Sequence, residues 1–147
     1  MTIAFAQVSE SDFDALVAMR IAAMRESLER VGRFDPDRAR ERLRQTFTPA
    51  HTRMIYANGE RVGFYALRPI SDWVSLDHLY VMPAFQRRGI GTEVVRMILA
   101  EADRQTLPVK VGALKESASN RFYQRHGFVC TGVSEWDVYY ERLPASG

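Results

Sequence analysis

Apolar positions recur along the chain with two periods, and the switches between them delimit its elements. Ile3 to Val8 reads as a short strand. Beyond it, Phe13, Leu16, Val17, Met24, Leu28 and Val31 lie near one face at helical spacing, with Ser9 or Ser11 as cap and Gly32 as stop. Asp12 and Asp14 suit that helix's first turn, where the dipole favours negative charge. Asp35-Pro36 opens a second helix, Pro36 to Phe47, since proline is favoured at the first helical position. Its arginines, Arg38, Arg40, Arg42 and Arg44, read mainly as a solvated face, with contact to an anion as the sharper alternative. Thr52 to Ala57 and Arg61 to Leu67 are strand-like runs joined by Asn58-Gly59, a strong hairpin signal.

The next strand, Trp73 to Val81, breaks phase. Val74 and Leu76 share one face; Leu79 and Val81 share a face in the opposite phase. Side chains alternate strictly along a strand, so the two apolar pairs would lie on opposite sides of the sheet. One extra residue near Asp77-His78 returns them to the same side, and a β-bulge is predicted there.

Pro83 ends that strand. A helix from Thr92 to about Arg104 buries Val94, Val95, Ile98 and Ala102. Val109 to Leu114 is a fifth strand, Ser117 or Ser119 caps a short helix through His126, and Gly127 ends it. Phe128 to Val133 and Trp136 to Arg142 are the closing strands. The predicted fold is a mixed α/β (α+β) sheet of about seven strands with about four helices.

Composition narrows the class without choosing a function. A chain of 147 residues has the length of one domain. A net charge of +2, from 20 basic and 18 acidic residues, lacks the basic excess of a nucleic-acid binder. No apolar run reaches membrane-spanning length. The first residues lack the basic-then-apolar order of a secretion signal, so a cytoplasmic protein is expected. One cysteine, Cys130, excludes an internal disulfide and reads as a small core residue.

The chemistry concentrates between strand and helix, at Gln86-Arg87-Arg88-Gly89-Ile90-Gly91-Thr92. Two glycines spaced by one residue allow a tight turn and close approach of a ligand. The following helix aims its free N–H groups and positive dipole end at that turn, a setting for phosphate or pyrophosphate. A third glycine of the dinucleotide pattern and a Gly-Lys-Ser/Thr are both missing, which argues against a dinucleotide or a magnesium-bound nucleotide.

Leu79-Tyr80-Val81-Met82-Pro83 followed by Gln86 to Thr92 resembles motif A of the GNAT N-acetyltransferases. Asn120-Arg121-Phe122-Tyr123 followed by Gly127-Phe128 resembles motif B. Order, separation and element sequence agree over nearly the whole chain. The resemblance implies a GNAT-like, mostly antiparallel sheet with a splayed central strand pair. It implies acetyl-coenzyme A as cosubstrate, with the Gln86–Thr92 turn on the pyrophosphate and the pantetheine arm along the backbone of Leu79, Tyr80 and Val81. It further implies direct attack by a primary amine in a ternary complex, with no acyl-enzyme and no metal.

Within that resemblance Tyr123 is the expected acid for the leaving thiolate, and Asn120, three residues earlier on the same helix face, a coenzyme contact. Arg87, Arg88 and Arg125 are candidate phosphate partners. Asp77 and His78, flanking the bulge, are candidate bases; the other reading makes them a polar pair supporting it. Glu26, Asp35, Asp72 and Glu135 are carboxylates that could surround the acceptor mouth. Acceptor choice would fall to Met24–Phe34, Trp73 and Trp136–Tyr140. These segments, with Arg20, Arg25, Phe34 and Tyr139, suit an amine with an apolar body and a carboxylate, or else fill a core or a dimer interface. A coenzyme A-binding sensor without catalysis is the alternative function, and the retained Tyr123 speaks against it. A homodimer is an open option.

Overall fold

In the computed structural model, which describes residues 1–145, one sheet carries all seven strands. They are β1 (Ile3–Gln7), β2 (Thr52–Ala57), β3 (Glu60–Ile70), β4 (Trp73–Val81), β5 (Val109–Leu114), β6 (Val129–Val133) and β7 (Asp137–Arg142). The helices are α1 (Phe13–Arg30), α2 (Pro36–Thr46), α3 (Ile90–Arg104) and α4 (Ser119–Arg125). The spatial order is β1-β2-β3-β4-β5-β7-β6, with every pair antiparallel except β4 and β5. The mixed seven-stranded sheet expected from the apolar pattern is the one that forms, and it is mostly antiparallel, as the resemblance implied.

Local chemistry explains the main boundaries. The Asn58-Gly59 turn has positive φ at both residues, 51° and 83°, as the two-residue hairpin requires. Asp35 caps α2 by accepting from the N–H groups of Asp37 and Arg38 (3.0 and 3.3 Å). Ser9 and Asp12 form a reciprocal capping box ahead of α1. At α4 the expectation fails. The N-cap is Ala118, and the Ser117 hydroxyl instead donates to the Leu114 carbonyl (2.8 Å), closing the turn out of β5.

The sheet is covered on both faces. On one face α3 and α4 pack Val94, Val95, Ile98, Tyr123 and Phe128 against Ile55, Val74, Leu76, Val109 and Tyr140. On the other, α1 and α2 pack Phe13, Leu16, Val17 and Leu43 against Met54 and Phe64. The β6 edge strand has no such cover. Cys130 is exposed there rather than buried in a core, which corrects the reading made from its apolar neighbours.

The phase break in β4 is a bulge. Ala66 of β3 faces His78 while Leu67 faces Leu76, so Asp77 is the extra residue. Leu79 and Val81 consequently return to the core of Val74 and Leu76, while Tyr80 packs on the α1–α2 side. Next to β5, the pairing of β4 covers Val74, Ser75 and Leu76 and then stops. From the bulge onward the two strands part.

Candidate active site

The parted strands leave one side of Leu79, Tyr80 and Val81 without a neighbouring strand, and the glycine turn lies just beyond their end. The Gln86 side-chain amide donates to the Val81 carbonyl (2.8 Å), which ties the turn back to β4. Gly89 is the N-cap of α3 in the left-handed conformation, φ 82°, and Arg87 also has positive φ, 65°. The Glu93 N–H donates to the Gly89 carbonyl (3.0 Å). The N–H groups ahead of Glu93 are those a helix start leaves without helical acceptors. Around them Arg87 and Arg88 are exposed, and Arg88 lies over the Phe85 ring. Gly91 faces the Phe122 ring, 3.5 Å from where a Cβ would sit, so α3 and α4 meet at this glycine.

Tyr123 is 5% exposed and packs against Phe122, Phe128 and Tyr140. Burial pushes its hydroxyl well above the ordinary phenol range, and the nearby Tyr80 hydroxyl adds to that. Asn120 is fully engaged. Its Nδ2 donates to the carbonyls of Leu114 (2.9 Å) and Ser117 (3.0 Å), and its Oδ1 accepts from the Tyr140 hydroxyl (2.8 Å). From the first turn of α4, the helix that carries Tyr123, it therefore clamps the end of β5 to β7. Arg125 is exposed in the last turn of α4.

Asp77 and His78 face different partners. Arg68 of β3 holds Asp77 with two bonds, Nε to Oδ2 (2.8 Å) and Nη2 to Oδ1 (3.2 Å), and Ser75 donates to Oδ1 (2.6 Å). His78, 8% exposed, belongs to a chain of hydrogen bonds whose direction can be worked out. The Thr46 hydroxyl donates to the Leu43 carbonyl (3.4 Å), so it accepts from His78 Nε2 (2.8 Å). Nδ1 then carries the lone pair and accepts from the Tyr80 hydroxyl (3.1 Å), whose oxygen accepts from Arg20 Nε (3.2 Å). Arg20, itself buried, also donates to the Ala39 carbonyl (3.1 Å). The chain fastens α1 and α2 onto β4. Burial first, then the charges of Arg20 and Arg42, lower the His78 pKa to about 4, leaving a neutral ring at neutral pH.

A cavity of about 520 Å³ opens on this face, with Tyr80, His78 and Asp77 in its wall, Trp73 and Lys110 to one side and α1, α2 and β7 around its mouth. Asp35 and Tyr139 line it as expected. Of the expected acceptor arginines, Arg20 also lines it and Arg25 does not. Arg25 pairs with Glu29 and stacks on Phe34, and Arg20 is consumed by Tyr80 and Ala39. The buried Arg20–Tyr80–His78–Thr46 chain escaped the sequence reading, although strand alternation already puts His78 and Tyr80 on one face.

The residues matched by the family model "Acetyltransferase (GNAT) domain" are 49–130. The chain belongs to the GNAT acetyltransferase family. Solved GNAT structures share its fold at low identity. PaiA N-acetyltransferase from Thermoplasma acidophilum, solved in complex with coenzyme A, is 15% identical with a TM-score of 0.77, covering 97% of this chain and 99% of that one. The ribosomal-protein-S18-alanine N-acetyltransferase from Escherichia coli is 13% identical with a TM-score of 0.69, covering 99% and 97%. An acetyltransferase from Thermus thermophilus is 16% identical with a TM-score of 0.75, covering 97% of each chain. No curated protein matches the chain. GNAT membership makes acyl-coenzyme A-dependent acetyl transfer the general chemistry of this fold. Among the described residues no helix is long and apolar enough to cross a membrane.

Proposed function

We propose that this chain, as one domain, transfers the acetyl group of acetyl-coenzyme A to a primary amine of a small molecule or peptide, by direct attack with both bound. One observation carries the reading: β4 parts from β5 immediately before a helix start with unsatisfied N–H groups. The gap suits an extended arm and the helix start suits a pyrophosphate, and the two follow one another along the chain. Leu79, Tyr80 and Val81 would present backbone to the arm. Gln86 to Thr92 would hold the pyrophosphate, with Gly89 and Gly91 admitting it closely and Arg87, Arg88 and Arg125 within range of phosphate charge.

Acetyl-coenzyme A supplies a reactive thioester, and its transfer to an amine leaves a thiol. Tyr123, protonated because burial disfavours the phenolate, gives its Oη proton to the departing thiolate and regains one from solvent. Asn120 is a positioning residue, holding the β5–β7 framework under Tyr123. Asp77, ion-paired by Arg68, and His78, neutral with both ring nitrogens hydrogen-bonded, shape the acceptor wall and do not act as bases; the amine's proton leaves through the open cavity. Cys130, exposed on the far edge strand, takes no part.

Tyr123→Phe tests the reading. Steady-state turnover should fall by about 10²-fold, as loss of a positioned acid does, while coenzyme A affinity measured by calorimetry stays within about twofold. Wild-type turnover in the variant would remove the acid role. Absence of coenzyme A binding to the wild-type chain would remove the whole reading.

A further inference from the structure

Arginine stands at every second position of α2 from 38 to 44. Residues four apart share a helix face and residues two apart do not, so this row divides in two. Arg40 and Arg44 turn toward α1, where they meet Asp14 (2.6 Å) and Glu10 (2.5 Å) and cover the Phe13 ring. Arg38 and Arg42, with Gln45 one turn on, line the cavity instead. Arg33 joins them from the α1–α2 connection, lying 4.2 Å from the centre of the Trp136 ring. Among the described residues none of these three guanidinium groups has a carboxylate within ion-pair distance.

The acids of this cavity do not neutralise them. Asp35 is spent on the α2 N-terminus and Asp77 on Arg68 and Ser75, leaving Asp137 as the uncommitted carboxylate of the inner lining. Glu41 and Glu135 line, with Asp137 and the same three arginines, an adjoining hollow, and neither forms an ion pair with them. Lys110, over Trp73, adds a further cation to the inner wall. The positive field reaches inward, because Arg42 and Arg20 both oppose protonation of His78. A wall of guanidinium groups repels a polycation and offers bidentate donors to a carboxylate or a phosphate. Apolar wall comes from Met24, Leu28 and Val111.

We propose that the acceptor is a small primary amine carrying an anionic group, a carboxylate or a phosphate, which Arg33, Arg38 and Arg42 receive at the cavity mouth. This rests on the acetyltransferase reading above and specifies its substrate class.

The test compares matched amines with acetyl-coenzyme A and the full chain: O-phosphoethanolamine against ethanolamine, β-alanine against β-alaninamide, and 1,4-diaminobutane as a cation. Each anionic amine should exceed its neutral counterpart at least tenfold in kcat/KM, mostly through KM, and the better of the two identifies carboxylate or phosphate as the group read. The advantage should shrink with added salt. The double variant Arg38→Ala/Arg42→Ala should raise the KM of the anionic amine about tenfold, and Arg38→Lys/Arg42→Lys should restore part of that. Arg40→Ala/Arg44→Ala, on the other helix face, should keep the preference. Equal use of neutral amines, preference for the diamine, or a variant whose defect lies in the KM of acetyl-coenzyme A overturns the inference. Should turnover be undetectable with all five amines, calorimetric titration of the enzyme–coenzyme A complex with the two anionic amines decides, and no saturable heat overturns it. Failure of coenzyme A itself to bind would bring down the underlying reading instead.

Discussion

His78 separates two roles that sequence alone leaves merged. A histidine beside a bulge reads equally well as base or as scaffold. The scaffold role proposed above rests on Thr46 and Tyr80 at its two ring nitrogens and Arg20 behind Tyr80. The same burial gives a pH signature. The unfolded chain takes up this proton near the ordinary value of 6.5 and the folded chain near 4, so between those values the unfolded state binds more protons. Stability contributed by neutral His78 is complete above pH 6.5 and is lost as pH falls toward 4, by about 3 kcal/mol. Denaturant melts at pH 7.5 and pH 4.5 should show this loss, and His78→Gln should flatten the difference while lowering stability at pH 7.5. Both residues of the site that mattered here, His78 and Tyr80, were visible in the sequence. Their partners were not, because Arg20 and Thr46 lie 60 and 32 positions away and meet them through tertiary packing alone.

Elements were more legible than contacts. The bounds of β4 and β5 and the bulge followed from alternation, since a buried face tolerates no slip of register. The cap of α4 did not, because Ser117 could satisfy a carbonyl of β5 as readily as a helix N–H. Nor did the division of the α2 arginines, which needs α1 and its acids in place. Two glycines show how elements carry different burdens. At Gly63, in β3 opposite Val81, a Cβ would sit 1.9 Å from the Tyr80 carbonyl oxygen. Gly63→Ala should therefore destabilise the fold by about 3 kcal/mol, the upper range for overpacking, in chemical denaturation. At Gly89 nothing lies within 4 Å of a Cβ, but φ is 82°. Gly89→Val should lower the melting temperature more than Gly89→Ala and weaken coenzyme A binding at least tenfold by calorimetry, because a β-branched residue resists that backbone shape.

At the scale of the whole molecule, the sheet divides labour between its faces. The α3–α4 side carries the glycine turn and Tyr123, and the α1–α2 side carries the cavity, so the two substrates would meet where β4 leaves β5. On the open β6 edge, Thr131 reaches the cavity lining and Cys130 does not. Cys130 there should react with one equivalent of an aromatic disulfide reagent in the native protein, as fast as in denaturant, and Cys130→Ser should abolish the reaction. Need for denaturant would contradict its exposure. Assays that follow released coenzyme A thiol with such a reagent must subtract this background. The bareness of β6 could not be foreseen, since an apolar strand looks alike whether or not a helix lies over it. The bulge at Asp77 has the widest reach. A strand's side chains obey parity, odd residues to one side and even to the other, and one inserted residue exchanges the two sets for everything downstream. His78 and Tyr80 reach the cavity because the count between them and Leu76 is off by one. The cleft is thus encoded by an integer, and its ancestry should be sought in insertions and deletions within this strand as well as in substitutions around it.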